Sequence, residues 1–136
     1  MIHGDFHTGN VFLQKGEPLL IDMDRLSRGH PIAEIAELYY FYVVLGEDDP
    51  SVVEKFMGFS YQTAQQFYRL FLISYLGTDN ENRLAEVTEK ASLICSVRMI
   101  NKLRKKGTLS ENDRRIIDRC MKKIGELTDR LDTLIF

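Results

Sequence analysis

Apolar and polar positions change rhythm once along this chain of 136 residues, near residue 30. Before that point two short β-prone runs, Val11-Phe12-Leu13 and Leu19-Leu20-Ile21, flank the turn-like segment Gln14-Lys15-Gly16-Glu17-Pro18. That pattern predicts a hairpin. With Gly16 at its centre, Val11 faces Ile21 and Asn10 faces Asp22. From Pro31 the pattern becomes helical. Pro31 suits a first turn, and Ile32 to Leu45 is apolar on nearly every face until Gly46, so this helix is expected at the centre of the domain. A second helix is predicted over 51–57. A third runs from near Ser60 to Leu76, with Phe67, Phe71, Leu72 and Tyr75 inward and Gly77 as its stop.

Two long helices complete the pattern. Leu84, Val87, Ala91, Ile94, Val97, Ile100 and Leu103 recur at helical spacing, ending at Gly107. Ser110-Glu111-Asn112-Asp113 then opens the next helix like a capping box. There Ile117, Cys120, Ile124, Leu127, Leu131 and Leu134 alternate by three and four, the seam of an antiparallel helix pair. The fold class expected is mainly α with a short β-hairpin, in one unit: residues 1–30 form loop and hairpin, residues 31–136 a helical subdomain.

Composition narrows the class. Hydrophobic residues make up 44% and charged residues 28%, the profile of a globular chain rather than a disordered one. The longest apolar run, Leu38 to Leu45, falls far short of the roughly 20 residues of a membrane span. No basic-then-apolar leader opens the sequence. Cys95 and Cys120, both in helix-like segments, do not make a disulfide framework. A cytoplasmic protein with no membrane partner is the expectation. Charge is uneven: residues 1–50 carry three basic and nine acidic side chains, residues 51–136 fifteen and eleven. An acidic N-terminal third suits metal ions and cationic ligands better than nucleic acid. The basic run Lys102, Arg104, Lys105, Lys106 reads as the solvated end of a helix, where cations are favourable.

Candidate chemistry is concentrated in residues 3–24: His3-Gly4-Asp5-Phe6-His7-Thr8-Gly9-Asn10, the hairpin, then Ile21-Asp22-Met23-Asp24. If Asn10 faces Asp22 across the hairpin, their oxygens can share one hard cation such as Mg²⁺, leaving Asp5 as a free acid beside it. A second reading takes His3, Asp5 and His7 as a transition-metal site of a hydrolase, although only the isolated His30 follows as a further ligand. A third is a non-catalytic binding module.

H-x-D-x-x-x-x-N followed by I-D resembles the catalytic and metal-binding segments of kinase-like phosphotransferases. The form here, HGDFHTGN then LLIDMD, is closest to the aminoglycoside phosphotransferase and choline kinase group of small-molecule kinases. The resemblance implies the helical C-terminal lobe of a protein-kinase-like fold. It also implies a γ-phosphoryl transfer from ATP or GTP to a hydroxyl, with an aminoglycoside- or choline-like, cationic acceptor. In that family the Asp at the place of Asp5 is the catalytic base, and the Asn and Asp at the places of Asn10 and Asp22 hold Mg²⁺ (or Mn²⁺) on the nucleotide phosphates. His3 would shape the loop, His7 would lie near the phosphates, and Asp24 would be a supporting acid. Glu34, in PIAEIAEL, stands where the family usually has an Asp that supports the catalytic loop.

The nine glycines contain no G-x-G-x-x-G, and there is no strand lysine of the V-A-I-K type. The resemblance therefore covers a C-terminal lobe whose N-terminal nucleotide-binding lobe is missing. Two expectations attach to that. Residues 1–136 alone would be incompetent for transfer, and apolar surface near Phe6, Val11 and Leu20 would be exposed and paired in a homodimer.

Overall fold

The computed structural model describes residues 1–136. The hairpin pairs β1 (Val11–Gln14) with β2 (Glu17–Leu20) antiparallel. Five helices follow: α1 (Ile32–Tyr42), α2 (Pro50–Met57), α3 (Tyr61–Leu76), α4 (Glu81–Arg104) and α5 (Glu111–Thr128). The mainly helical class with one short hairpin is what the structure has. None of these helices is long and apolar enough to cross a membrane.

The hairpin register differs by one residue from the one centred on Gly16. Val11 pairs with Leu20 and Gln14 with Glu17. The loop is therefore the two residues Lys15 and Gly16, both at positive φ (54° and 85°). Two left-handed residues in succession make the turn whose twist matches a two-residue hairpin loop. Lysine is an uncommon occupant of that position, which hides the turn from sequence. Asn10 consequently lies opposite Ile21, whose N–H donates to the Asn10 carbonyl at 3.0 Å.

Helix α1 lies at the centre, as its all-round apolarity requires. Ile35, Ala36, Leu38 and Tyr42 are buried there, against Val53 of α2, Ala64, Tyr68 and Leu72 of α3, and Leu84, Val87, Ala91 and Cys95 of α4. It stops at Tyr42, not Leu45, and a 3-10 turn covers Val44–Gly46. Tyr61 accounts for that early stop. Its hydroxyl donates to the Val43 carbonyl at 2.6 Å, taking one of the carbonyls a helix end leaves orphaned. Its ring lies where any Cβ on Gly46 would come within 2.4 Å.

Helix α3 is rotated from the face its aromatics suggest. The buried positions are Ala64, Tyr68 and Leu72, while Phe67 and Phe71 flank them and Tyr75 is half exposed. A small residue lets two helix backbones approach, so Ala64 rather than the largest side chains marks the contact line. In α4, Val97 faces solvent although it keeps helical spacing with its neighbours. Its buried face is broadened instead by Ser92 and Ser96, and by Lys90, whose ammonium donates to Glu86 at 2.6 Å and to the Ile135 carbonyl at 2.7 Å. That second bond draws the C-terminal tail back onto the body. Leu131 and Leu134 accordingly lie past the end of α5 rather than on its seam.

Helices α4 and α5 form the predicted antiparallel pair, with Cys120 and Leu127 buried and Ile117 and Ile124 half-buried. The capping box at Ser110 and Asp113 is present. The Asp113 carboxylate also accepts from Lys106 at 2.8 Å.

Two outcomes follow from this packing. Leu38→Ala, at a site with no solvent exposure, should lower unfolding free energy by about 2–5 kcal/mol in urea titrations. Bonds from Lys106 and Ser110 hold the Asp113 carboxyl at about 2, below its ordinary 3.8. The stability this adds is full above pH 4 and is lost as pH falls toward 2. The melting-temperature gap between the native chain and Asp113→Asn should therefore shrink over that interval.

Candidate functional site

The chain enters the site on a single backbone bridge. Ile2 and Ser27 exchange N–H···O bonds of 2.9 and 3.1 Å, clamping the start of the loop to the segment that follows the hairpin. Gly4 comes next at φ +80°, and a Cβ there would meet both Cβ and the carbonyl of Arg25 at 3.1 Å. Only glycine combines that conformation with that approach.

Three residues then hold the loop. Glu34, in the first turn of α1, accepts the N–H of His3 (2.5 Å) and of Gly4 (3.0 Å) on one carboxylate oxygen. The buried His3 ring donates from Nε2 to the Ile21 carbonyl at 2.9 Å, which assigns its proton to that nitrogen. Asn10, also buried, donates from Nδ2 to the Asp5 backbone carbonyl at 2.9 Å. Loop, hairpin and helix are thus cross-linked by three side chains.

The carboxylate of Asp5 is about one-quarter exposed and lies 3.8 Å from the Arg25 guanidinium. Asp22 is exposed and occupies the left-handed region (φ 59°, ψ 58°), uncommon for any residue but glycine. It sits at the N-cap position of a 3-10 turn, Met23–Arg25, but its side chain makes no capping bond. Such backbone strain concentrates at functional positions. Asp24 is exposed within that turn. His7 accepts the Gly9 N–H on Nδ1 at 3.1 Å, and its ring packs against the stacked pair Phe41 (5.1 Å) and Phe56 (5.4 Å).

The histidines do not converge. His3 is turned to Ile21 and Phe6, His7 to the aromatic pair, and no three His, Cys, Asp or Glu side chains come together as a metal-binding group. The hydrolase set of His3, Asp5 and His7 therefore has no geometry to act through. The Mg²⁺ pair is also placed differently from expectation: Asn10 and Asp22 are not directly opposed, because of the one-residue register change.

Residues not singled out in the sequence complete the surroundings. Arg25 pairs with Asp5, and Glu37 of α1 pairs with Arg98 of α4. Burial pushes the Glu37 carboxyl above its ordinary value, against the pull of Arg98. Their separations of 20 and 61 positions leave no local signal. Beside them lies a cleft of about 560 Å³ lined by Arg25, Glu37, Tyr40, Arg98, Lys102 and Lys105, among others.

A model of the phosphotransferase enzyme family, APH, matches residues 1–71. That is just over half the chain, and it spans the loop, the hairpin, α1, α2 and most of α3. No curated protein and no solved structure matches it. The matched stretch contains all the loop contacts just described. The chain belongs to the phosphotransferase enzyme family.

Proposed function

We propose that this site transfers the γ-phosphoryl group of ATP or GTP to a hydroxyl of a small molecule. Asp5 is the base, Asn10 and Asp22 hold Mg²⁺ or Mn²⁺, and Glu34 and His3 set the loop. The observation that carries the reading is the bond from Asn10 Nδ2 to the Asp5 carbonyl. It fixes base and metal ligand relative to one another and leaves Asn10 Oδ1 as the free oxygen.

The residues suit a hard cation. Asn10 Oδ1 and the uncapped Asp22 carboxylate are oxygen donors, and Mg²⁺ is commonly held by one or two such groups with phosphate oxygens and waters. A metal held there would supply positive charge against the transferring phosphates. Asp5 orients the acceptor hydroxyl and takes its proton. The acceptor oxygen bonds to the γ-phosphorus while the bond to the β–γ bridging oxygen breaks, its electrons leaving on the nucleoside diphosphate. His7 would lie near the phosphates and Asp24 would be a supporting acid. Family resemblance points to aminoglycoside- or choline-like acceptors.

Positioning and electrostatics supply most of such a reaction, so contacts to the phosphates matter. Residues 1–136 hold neither a glycine-rich phosphate loop nor a V-A-I-K lysine. Each missing charge-assisted contact is worth about 1.5–3 kcal/mol of nucleotide affinity.

Three outcomes test the reading. Mn²⁺ added to ¹⁵N-labelled protein should broaden the amides around Asn10 and Asp22. Asn10→Ala with Asp22→Ala should abolish that broadening; unchanged broadening would remove the metal assignment. Residues 1–136 alone should show no measurable ATP-dependent transfer to kanamycin, choline or sn-glycerol 3-phosphate, and robust turnover to any of them would contradict this account. When a family N-terminal lobe is supplied and transfer is restored, Asp5→Ala should cut kcat about 10²–10⁴-fold with nucleotide affinity nearly unchanged.

A further inference from the structure

The basic run near the end of α4 divides once folded. Lys106 turns to Asp113, whereas Arg98, Lys102 and Lys105 follow one another at spacings of four and three and so share one face. That face is a wall of the cleft whose other lining includes Arg25, Glu37 and Tyr40. Two of the four cations are neutralised: Arg98 by Glu37, and Arg25 by Asp5. Lys102 and Lys105 are not. Neither makes an ion pair, and the Lys102 ammonium lies 5.4 Å from the Tyr40 ring centre. The cleft thus carries two uncompensated positive charges. Arg25 links it to the base, since the same guanidinium lines the cleft and pairs with Asp5.

We propose that this cleft is the acceptor subsite and that it selects a hydroxyl compound bearing an anionic group, a phosphate or carboxylate. The inference rests on the phosphotransfer reading of Asp5. The acceptor's anion sits at Lys102 and Lys105, and its hydroxyl reaches past Arg25 to Asp5. There the oxygen takes the γ-phosphoryl group, the proton passes to Asp5, and nucleoside diphosphate leaves. Lysine ammoniums are point charges suited to phosphate, and the neutral Tyr40 hydroxyl adds a donor. Cys95 also lines the cleft, but burial pushes its thiol up to about 12, so it is no competing nucleophile. The sign is opposite to the one that both the acidic N-terminal third and the family resemblance suggest, and the lining of this cleft is what favours an anion. Most of those carboxylates, Glu47, Asp48 and Asp49 among them, lie outside the cleft, and Asp48 is held by Arg119.

The acceptor titration needs neither nucleotide nor metal, and a separate Mn²⁺ titration reads the phosphotransfer site. ¹⁵N-labelled protein is titrated with sn-glycerol 3-phosphate, and separately with choline, following amides of Arg25 and Arg98–Lys105. Glycerol 3-phosphate should shift these amides saturably and choline should not. Lys102→Ala with Lys105→Ala should raise the glycerol 3-phosphate Kd by about tenfold or more. Both lysines lie at an exposed helix end where alanine is a good helix former, so the fold should persist. Tighter choline binding, or a Kd unmoved by the double substitution, would overturn the inference. Anion binding without Mn²⁺ broadening at Asn10 and Asp22 would overturn the phosphotransfer role and leave an anion site only. Broadening without anion binding would overturn the acceptor assignment alone.

Discussion

One carboxylate oxygen joins the two halves of this protein. Glu34 Oε2 receives the His3 and Gly4 N–H groups, and these are the backbone atoms immediately before Asp5. Apart from the Ile2–Ser27 bridge and His3, little else restrains the loop entrance. Every residue from Phe12 to His30 is exposed, so the hairpin itself has no core to lean on. The rigid part is α1, whose next turns bury Ile35, Ala36, Leu38, Tyr39 and Tyr42. A base must be held within a fraction of an ångström to be effective, and loops alone rarely achieve that. Glu34 passes the rigidity of the central helix to the loop. A charged acceptor makes both hydrogen bonds stronger than neutral ones would be.

A glutamate serves here where the family usually has an aspartate. Glu34 sits in the first turn of α1, and Gly4, at φ +80°, donates its N–H to the same oxygen as His3 does. The first turn also places a negative side chain at the positive end of the helix dipole. The group that reaches the loop is still a carboxylate, and it accepts both N–H bonds on one oxygen.

How far the sequence exposes this arrangement depends on whether each feature is local. The hairpin, the central helix, the capping box at Ser110 and the antiparallel α4–α5 pair all rest on neighbouring residues, and they are readable. The hairpin register is not, because it turns on Lys15 accepting a left-handed conformation that its type does not advertise. That single residue decides whether Asn10 faces Asp22 or Ile21. The orientation of α3 likewise depends on what Ala64 approaches, and not on the bulk of Phe67 or Tyr75. Motif residues Asp5, Asn10 and Asp22 can be picked from spacing. Their partners Arg25, Glu37 and Arg98 cannot, since they meet only after the helices assemble.

The register change also alters how Asp22 comes to the site. In a regular ladder, side chains of successive residues point to opposite faces, so one residue of slip would carry Asp22 away from Asn10. The chain instead leaves the ladder after Leu20, accepts the Ile21 N–H on Asn10, and enters the left-handed region at Asp22. The same short segment then runs into Met23–Arg25, so the backbone twist that sets Asp22 also sets Arg25 against Gly4 and Asp5. Asp22 and Arg25, which pairs with Asp5 and lines the α4 cleft, are therefore set by one stretch of backbone between Ile21 and Arg25.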